Sequence, residues 1–81
     1  MKLPRQVSGT ELVGRLERLG YRVTRQSGSH IRLTRAEPPQ HHVTVPNHSP
    51  LRVGTLSSIV NEVAVRLRLS RSDLISRLFG E

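Results

Sequence analysis

The sequence contains no cysteine, which excludes both a disulfide framework and a zinc site built from cysteines. It has no apolar run long enough for a membrane span or for the core of a signal peptide. No internal repeat of the solenoid type is present. These absences favour a soluble, cytoplasmic protein. Because 81 residues suffice for only one compact core, we expect a single domain over 1–81.

Acidic residues are scarce. Six Asp and Glu residues stand against thirteen Lys and Arg residues, which gives a net charge of +7. Twelve of the thirteen basic residues are arginine, whose planar guanidinium contacts phosphate through two hydrogen bonds and stacks on bases. A polyanion is therefore the expected partner, and the arginine content favours RNA.

The few carboxylates are also dispersed. They are Glu11, Glu17, Glu37, Glu62, Asp73 and Glu81. A magnesium-dependent nuclease would need clustered carboxylates, so we expect any nuclease activity to be independent of metal. Three histidines remain as a weak alternative metal site, namely His41, His42 and His48. They lack metal-ligand spacing, and adjacent strand residues point to opposite faces, so the sequence predicts no metal and no cofactor.

Two helix starts are marked by serine caps. Ser8 precedes Glu11 by three residues, and Ser70 precedes Asp73 by the same interval. Gly20 follows the apolar stripe of the first helix and predicts its end. A middle helix starting near residue 53 or 54 is predicted by the apolar residues at helical spacing, which are Leu56, Ile59, Val60, Val63 and Leu67.

Alternating apolar and polar residues predict three strands, over residues 21–26, 30–34 and 42–45. A turn at 27–29 joins the first two strands, and a loop over 36–40 with two adjacent prolines precedes the third. The predicted inward residues are Tyr21, Val23, Ile31, Leu33, Val43 and Val45. The predicted outward residues are Arg22, Thr24, Gln26, His30, Arg32, Thr34, His42 and Thr44.

The predicted fold class is α+β. Its order is α-β-β-β-α with a short extra C-terminal helix, and its sheet has three antiparallel strands. This is the arrangement of double-stranded-RNA-binding domains. The helices must cover the apolar face of the sheet and leave the other face in solvent.

His30 lies at the start of the second predicted strand, after Gly28 and Ser29 and among outward-pointing arginines. Imidazole gains and loses a proton near neutral pH, and guanidinium groups stabilise charge that develops on a phosphate. RNA already carries its nucleophile, the 2′-hydroxyl, so a protein need supply only proton transfer and phosphate stabilisation. His30 is therefore a candidate catalytic residue, although a surface histidine is more often simply polar.

Pro46, Asn47 and His48 follow the third predicted strand. Proline and asparagine are common turn residues, and nothing in the spacing brings His48 next to His30. We interpret this segment first as a structural turn. The alternative is that His48 is a second acid–base group or a phosphate ligand.

Three motifs in this order and spacing resemble the HicA (YcfA-like) toxin family. They are Gly28-Ser29-His30, then Val43-Thr44-Val45-Pro46-Asn47-His48, then Gly54-Thr55-Leu56 with Ile59. The resemblance runs from about Ser8 to about Ser70. Many members have a second histidine where this chain has Ile31, which the alternating pattern explains as a core residue. The loop with Pro38 and Pro39 and the third helix extend the family pattern.

The resemblance implies a double-stranded-RNA-binding-like fold and a toxin of a type II toxin–antitoxin system, active in stress responses. Such a toxin is an endoribonuclease that cleaves mRNA and is neutralised by a HicB-type antitoxin. It implies a catalytic role for His30. The residues that we expect to bind RNA are Arg22, Arg25, Ser29, Arg32 and His48. The second half of the proton transfer stays open between His48, His42 and water.

Two alternative functions remain at this point. One is a non-catalytic RNA-binding module, in which His30 contacts only phosphate or the 2′-hydroxyl. The other is an adaptor whose arginines dock an acidic protein. Steep salt dependence of RNA binding would count against the adaptor, because counterion release accompanies phosphate contacts.

Overall fold

The computed structural model describes residues 2–38 and 40–80. Its elements are α1 (Gly9–Glu17), β1 (Tyr21–Ser27), β2 (His30–Arg35), β3 (His41–Pro46), α2 (Val53–Leu67) and α3 (Arg71–Phe79). The predicted α-β-β-β-α-α order and the α+β class are confirmed. Pro39 of the predicted proline loop and the C-terminal Glu81 lie outside the described residues.

The helix starts follow the predicted caps. The Ser8 side chain accepts a hydrogen bond from the Glu11 amide at 3.0 Å, and Ser70 accepts one from the Asp73 amide at 3.0 Å. Each cap satisfies an amide that has no partner within its own helix. Gly20, in the turn after α1, has φ of 95°, a backbone conformation that glycine adopts without strain.

The three strands form an antiparallel meander in the order β1-β2-β3. Ile31 pairs with Val45 and Leu33 pairs with Val43 across β2 and β3, so these apolar side chains share one face. The sheet therefore has one apolar face and one polar face. The strands are slightly longer than predicted, and β3 includes His41 at its start.

A β-bulge in β1 changes the predicted alternation. Val23 pairs with Leu33, but the next paired residue is Arg25, opposite Arg32. Because of the extra residue, the side chains of β1 after the bulge point to the opposite face of the sheet from the one that strict alternation predicts. Gln26, predicted to point outward, consequently pairs with the inward-facing Ile31. That prediction was wrong because an unbroken period of two cannot anticipate a bulge.

The core lies between the apolar face of the sheet and the helices. Its buried side chains include Leu12, Leu16, Tyr21, Leu33, Val45, Val60, Val63, Leu74 and Leu78. Val23 faces inward as predicted, since it pairs with Leu33, but its side chain is 44% exposed. β1 is an edge strand, and only its first residue, Tyr21, is buried. Apart from the Tyr21 hydroxyl, the one polar side-chain group among the buried residues of the described ranges is the His41 imidazole.

None of the helices within residues 2–38 and 40–80 combines the length and the hydrophobicity needed to span a bilayer.

Candidate nucleic-acid interface

The polar face of the sheet carries basic and hydroxyl side chains. We call it the open face. Its residues are Arg22, Thr24, Arg25, His30, Arg32, Thr34, His42 and Thr44. All of them are exposed except Thr34, which is half-buried. This face combines guanidinium groups for phosphate with imidazole groups for proton transfer.

The bulge brings Arg25 onto the open face. Strict alternation from Tyr21 would have turned Arg25 toward the helices, but the register shift sets it opposite Arg32. Arg32 in turn pairs with Thr44 on β3. Two guanidinium groups therefore lie on neighbouring strands of one face, which is an arrangement suited to a phosphate backbone.

His30 is the first residue of β2 and is exposed. Its cross-strand partners are Ser27 on β1 and Pro46 on β3. The two-residue turn before it contains Gly28 with φ of 58°, which favours glycine at that position. His30 therefore projects from the end of the sheet where the β1–β2 turn lies, with Ser29 exposed beside it.

His48 lies at this same end of the sheet. The Asn47 amide donates to the Ser29 carbonyl at 2.6 Å, and the Gly9 amide at the start of α1 donates to the His48 carbonyl at 2.8 Å. The first hydrogen bond holds the segment after β3 beside the turn that precedes His30, and the second ties that segment to the start of α1. The sequence did not predict that His48 and His30 lie at the same end of the sheet, because these contacts join residues that are far apart in the chain.

Gly9 makes this approach possible. A Cβ at residue 9 would overlap the Pro46 carbonyl oxygen and touch the Asn47 Cα. The absence of a side chain therefore lets the start of α1 lie directly on the backbone that leads to His48. The start of α1, the Asn47–His48 segment and the β1–β2 turn that precedes His30 therefore lie at the same end of the molecule.

The predicted RNA-binding residues fall into two groups. Ser29 and His48 lie near His30, at the end of the sheet. Arg25 and Arg32 lie further along the open face, and Arg22 is further still, opposite Thr34. Arg32 follows His30 by two residues on the same strand face, which separates their Cα atoms by roughly 7 Å at the usual strand rise.

A chain of side-chain hydrogen bonds crosses the open face. Thr24 Oγ1 lies 2.9 Å from Thr34 Oγ1, and Thr34 Oγ1 lies 2.8 Å from His42 Nδ1. Sequence reasoning assigned all three residues to the open face but missed their connection. The signal was present in the alternation, because Thr24, Thr34 and His42 fall at outward positions of successive strands.

The three histidines weighed as metal ligands do not converge. His41 is buried on the apolar side of β3, whereas His42 is exposed on the open face. Within the described ranges, no three His, Cys, Asp or Glu side chains are grouped so that they could hold a metal ion.

Comparison with known proteins adds one finding to this geometry. A family model described as the HicA toxin of bacterial toxin–antitoxin systems matches residues 9–65, well over half of the chain. The match runs from the start of α1 almost to the end of α2 and includes His30. Searches of curated proteins and of solved structures found no match. The chain therefore belongs to the HicA toxin family.

Proposed function

We propose that this protein is a metal-independent endoribonuclease that cleaves mRNA in the cytoplasm, with His30 as the residue that transfers a proton. The observation that carries the proposal is the exposure of His30 on a basic sheet face in a member of a toxin family. The net charge of +7 suits a polyanionic substrate.

The proposed reaction uses the nucleophile of the RNA itself. The 2′-oxygen attacks the adjacent phosphorus and loses its proton, while the bond to the 5′-oxygen of the next nucleotide breaks and that oxygen gains a proton. The products are a 2′,3′-cyclic phosphate and a 5′-hydroxyl end. His30 performs one of the two proton transfers, and Arg32 on the same strand face stabilises the charge that develops on the phosphate.

His48 is the better candidate for the other transfer. Its backbone is tied to α1 through the Gly9 amide, and the neighbouring Asn47 is tied to Ser29. His42 is displaced along the sheet, opposite Thr34. We therefore assign the second proton transfer to His48 and a binding role to Ser29, Arg22, Arg25 and Arg32.

A HicB-type antitoxin is the proposed inhibitor. An activity that destroys mRNA harms its own cell, and membership of a toxin–antitoxin family implies an antitoxin partner. The open face is strongly basic, so an acidic surface on the antitoxin would both complement it and block access to His30.

The test is incubation of an end-labelled mRNA with purified protein in EDTA. We expect the wild type to cut the RNA and leave cyclic phosphate ends, His30→Ala to bind RNA without cutting it, and His48→Ala to cut slowly. Arg77→Ala, which removes one exposed charge from α3, is the control and should cut normally. Binding without cleavage by every variant, wild type included, would replace this proposal with a non-catalytic RNA-binding module.

A further inference from the structure

The open face has a shallow depression away from His30. It is lined by Thr24, Arg25, Arg32, Thr34, Gln40 and His42. Thr34 is four positions beyond His30 along β2, and His42 is its cross-strand partner. At the usual rise of about 3.3 Å per residue, Thr34 and its partner His42 lie roughly 13 Å from His30 along the strand, and Arg32 lies between them. One phosphate cannot contact both histidines over that distance.

The hydroxyl chain fixes the His42 ring in this depression. Thr24 Oγ1 lies 2.9 Å from Thr34 Oγ1, which in turn lies 2.8 Å from His42 Nδ1. Because the Thr34 hydroxyl engages Nδ1, Nε2 is the ring nitrogen that can form a hydrogen bond with a ligand.

Planar side chains on this face are otherwise rare. The chain has no tryptophan, one tyrosine and one phenylalanine. Tyr21 is 1% exposed in the core, and Phe79 packs against the core from α3. Recognition of an unpaired base normally uses stacking on an aromatic ring or a guanidinium plane. In the depression, the planes available are those of His42, Arg25 and Arg32.

We propose that His42 and Arg25 form a subsite for one nucleotide of single-stranded RNA, separate from the scissile phosphate that His30 and Arg32 contact. Arg25 binds the backbone phosphate of that nucleotide, and the His42 ring stacks on the base and forms a hydrogen bond with it through Nε2. Thr34 is a positioning residue that holds the ring. The subsite takes its substrate class, RNA, from the proposed function and rests on it. By holding one nucleotide, the subsite determines which phosphodiester bond of the bound strand reaches His30.

The test measures binding separately from cleavage. A short single-stranded 2′-O-methyl oligoribonucleotide, which lacks the attacking hydroxyl, is titrated into the wild type, His42→Ala, Thr34→Val and Arg77→Ala. We expect His42→Ala to weaken binding about tenfold, as is usual for loss of one stacking contact. Thr34→Val, which removes only the hydroxyl, should weaken it about threefold. Arg77→Ala should bind within about twofold of wild type. Melting curves show which variants are folded. If His42→Ala is unfolded, the comparison of Thr34→Val with wild type decides the test.

Cleavage mapping on ordinary mRNA completes the test. We expect His42→Ala to spread the cuts over more positions, because the strand is no longer held at the subsite. If wild type cleaves and His42→Ala binds and cuts like Arg77→Ala, the subsite is wrong and the proposed nuclease stands. If His42→Ala weakens binding of the oligonucleotide but the wild type never cleaves, the subsite stands and the nuclease proposal is wrong.

Discussion

The Tyr21 hydroxyl lies 2.6 Å from His41 Nδ1, inside the core on the apolar face of the sheet. His41 Nε2 lies 3.0 Å from a Glu62 carboxylate oxygen. An ionised carboxylate can only accept a hydrogen bond, so Nε2 carries the hydrogen, and in the neutral ring Nδ1 accepts from Tyr21. Both ring nitrogens of this buried histidine are thereby satisfied, which is the condition for burying it at low cost.

Replacement of His41 by alanine should strongly destabilise the fold. The change leaves a cavity in the core and removes the partner of the buried Tyr21 hydroxyl, for a combined loss of about 2–4 kcal/mol in the free energy of unfolding. His42→Ala, at the adjacent exposed position, is the matched control and should change it by no more than about 0.5 kcal/mol. Urea denaturation of both variants measures the difference. Equal losses would show that the buried network contributes nothing specific.

Alkaline pH should weaken the fold through Tyr21. Burial raises the pKa of the Tyr21 phenol above its ordinary value of 10.0, and the Glu62 carboxylate adds to the rise, while Arg35 and Arg66 oppose it. Above pH 10 the folded state therefore keeps a proton that the unfolded state has lost. The free energy of unfolding falls as pH rises from that point, by at most about 1.4 kcal/mol per pH unit.

The check is the difference between wild type and Tyr21→Phe, since other groups also titrate in this range. At neutral pH the variant should be about 1 kcal/mol less stable because it lacks the hydrogen bond to His41. Between about pH 9 and pH 11 its stability should fall less steeply than that of wild type. Parallel stability curves would contradict the role assigned to the phenol.

The element order was predictable because its signals are local. A serine cap followed by an apolar stripe at helical spacing needs no knowledge of the remaining chain, and Ser8 and Ser70 both cap as expected. Strand alternation likewise assigned His30 and Arg32 to the exposed face correctly. These patterns record which side of an element faces the core, so they carry over to the fold.

The remaining features depend on contacts between distant residues. No glycine or proline in β1 marks the bulge after Val23, which arises from pairing with β2. The burial of His41 depends on Tyr21 and Glu62, and neither residue is near it in sequence. The position of His48 depends on Gly9, nearly forty residues earlier. A pattern within one helix or strand cannot predict such contacts, because it carries no information about residues outside that helix or strand.

Gly9 and Gly14 should respond to alanine with opposite signs, although both lie in α1. Gly9→Ala forces a Cβ into the Pro46 carbonyl, a backbone group with little room to move, and should cost about 1–3 kcal/mol of stability. At Gly14 nothing lies within 4 Å of an added Cβ, so alanine should stabilise the helix by about 0.5–1 kcal/mol. Thermal melting compares the two. Because Gly9 also holds the His48 backbone, Gly9→Ala should lower the RNA cleavage rate, whereas Gly14→Ala should not.

RNA binding should depend on salt through the arginines of the open face. Each phosphate contact releases a condensed counterion, so log K for RNA binding falls as log salt rises. Loss of one contact makes this negative slope shallower by about 0.7 for a single strand. Arg25→Ala and Arg32→Ala should each make the slope shallower by this amount, because the bulge sets both residues on the same face. Arg77→Ala removes the same charge from α3, which packs against α1 and α2, and should leave the slope unchanged. An equal change of slope for all three variants would mean that RNA binding depends only on the net charge of the protein. An unchanged slope for Arg25→Ala alone would mean that the bulge does not bring the Arg25 side chain to the RNA.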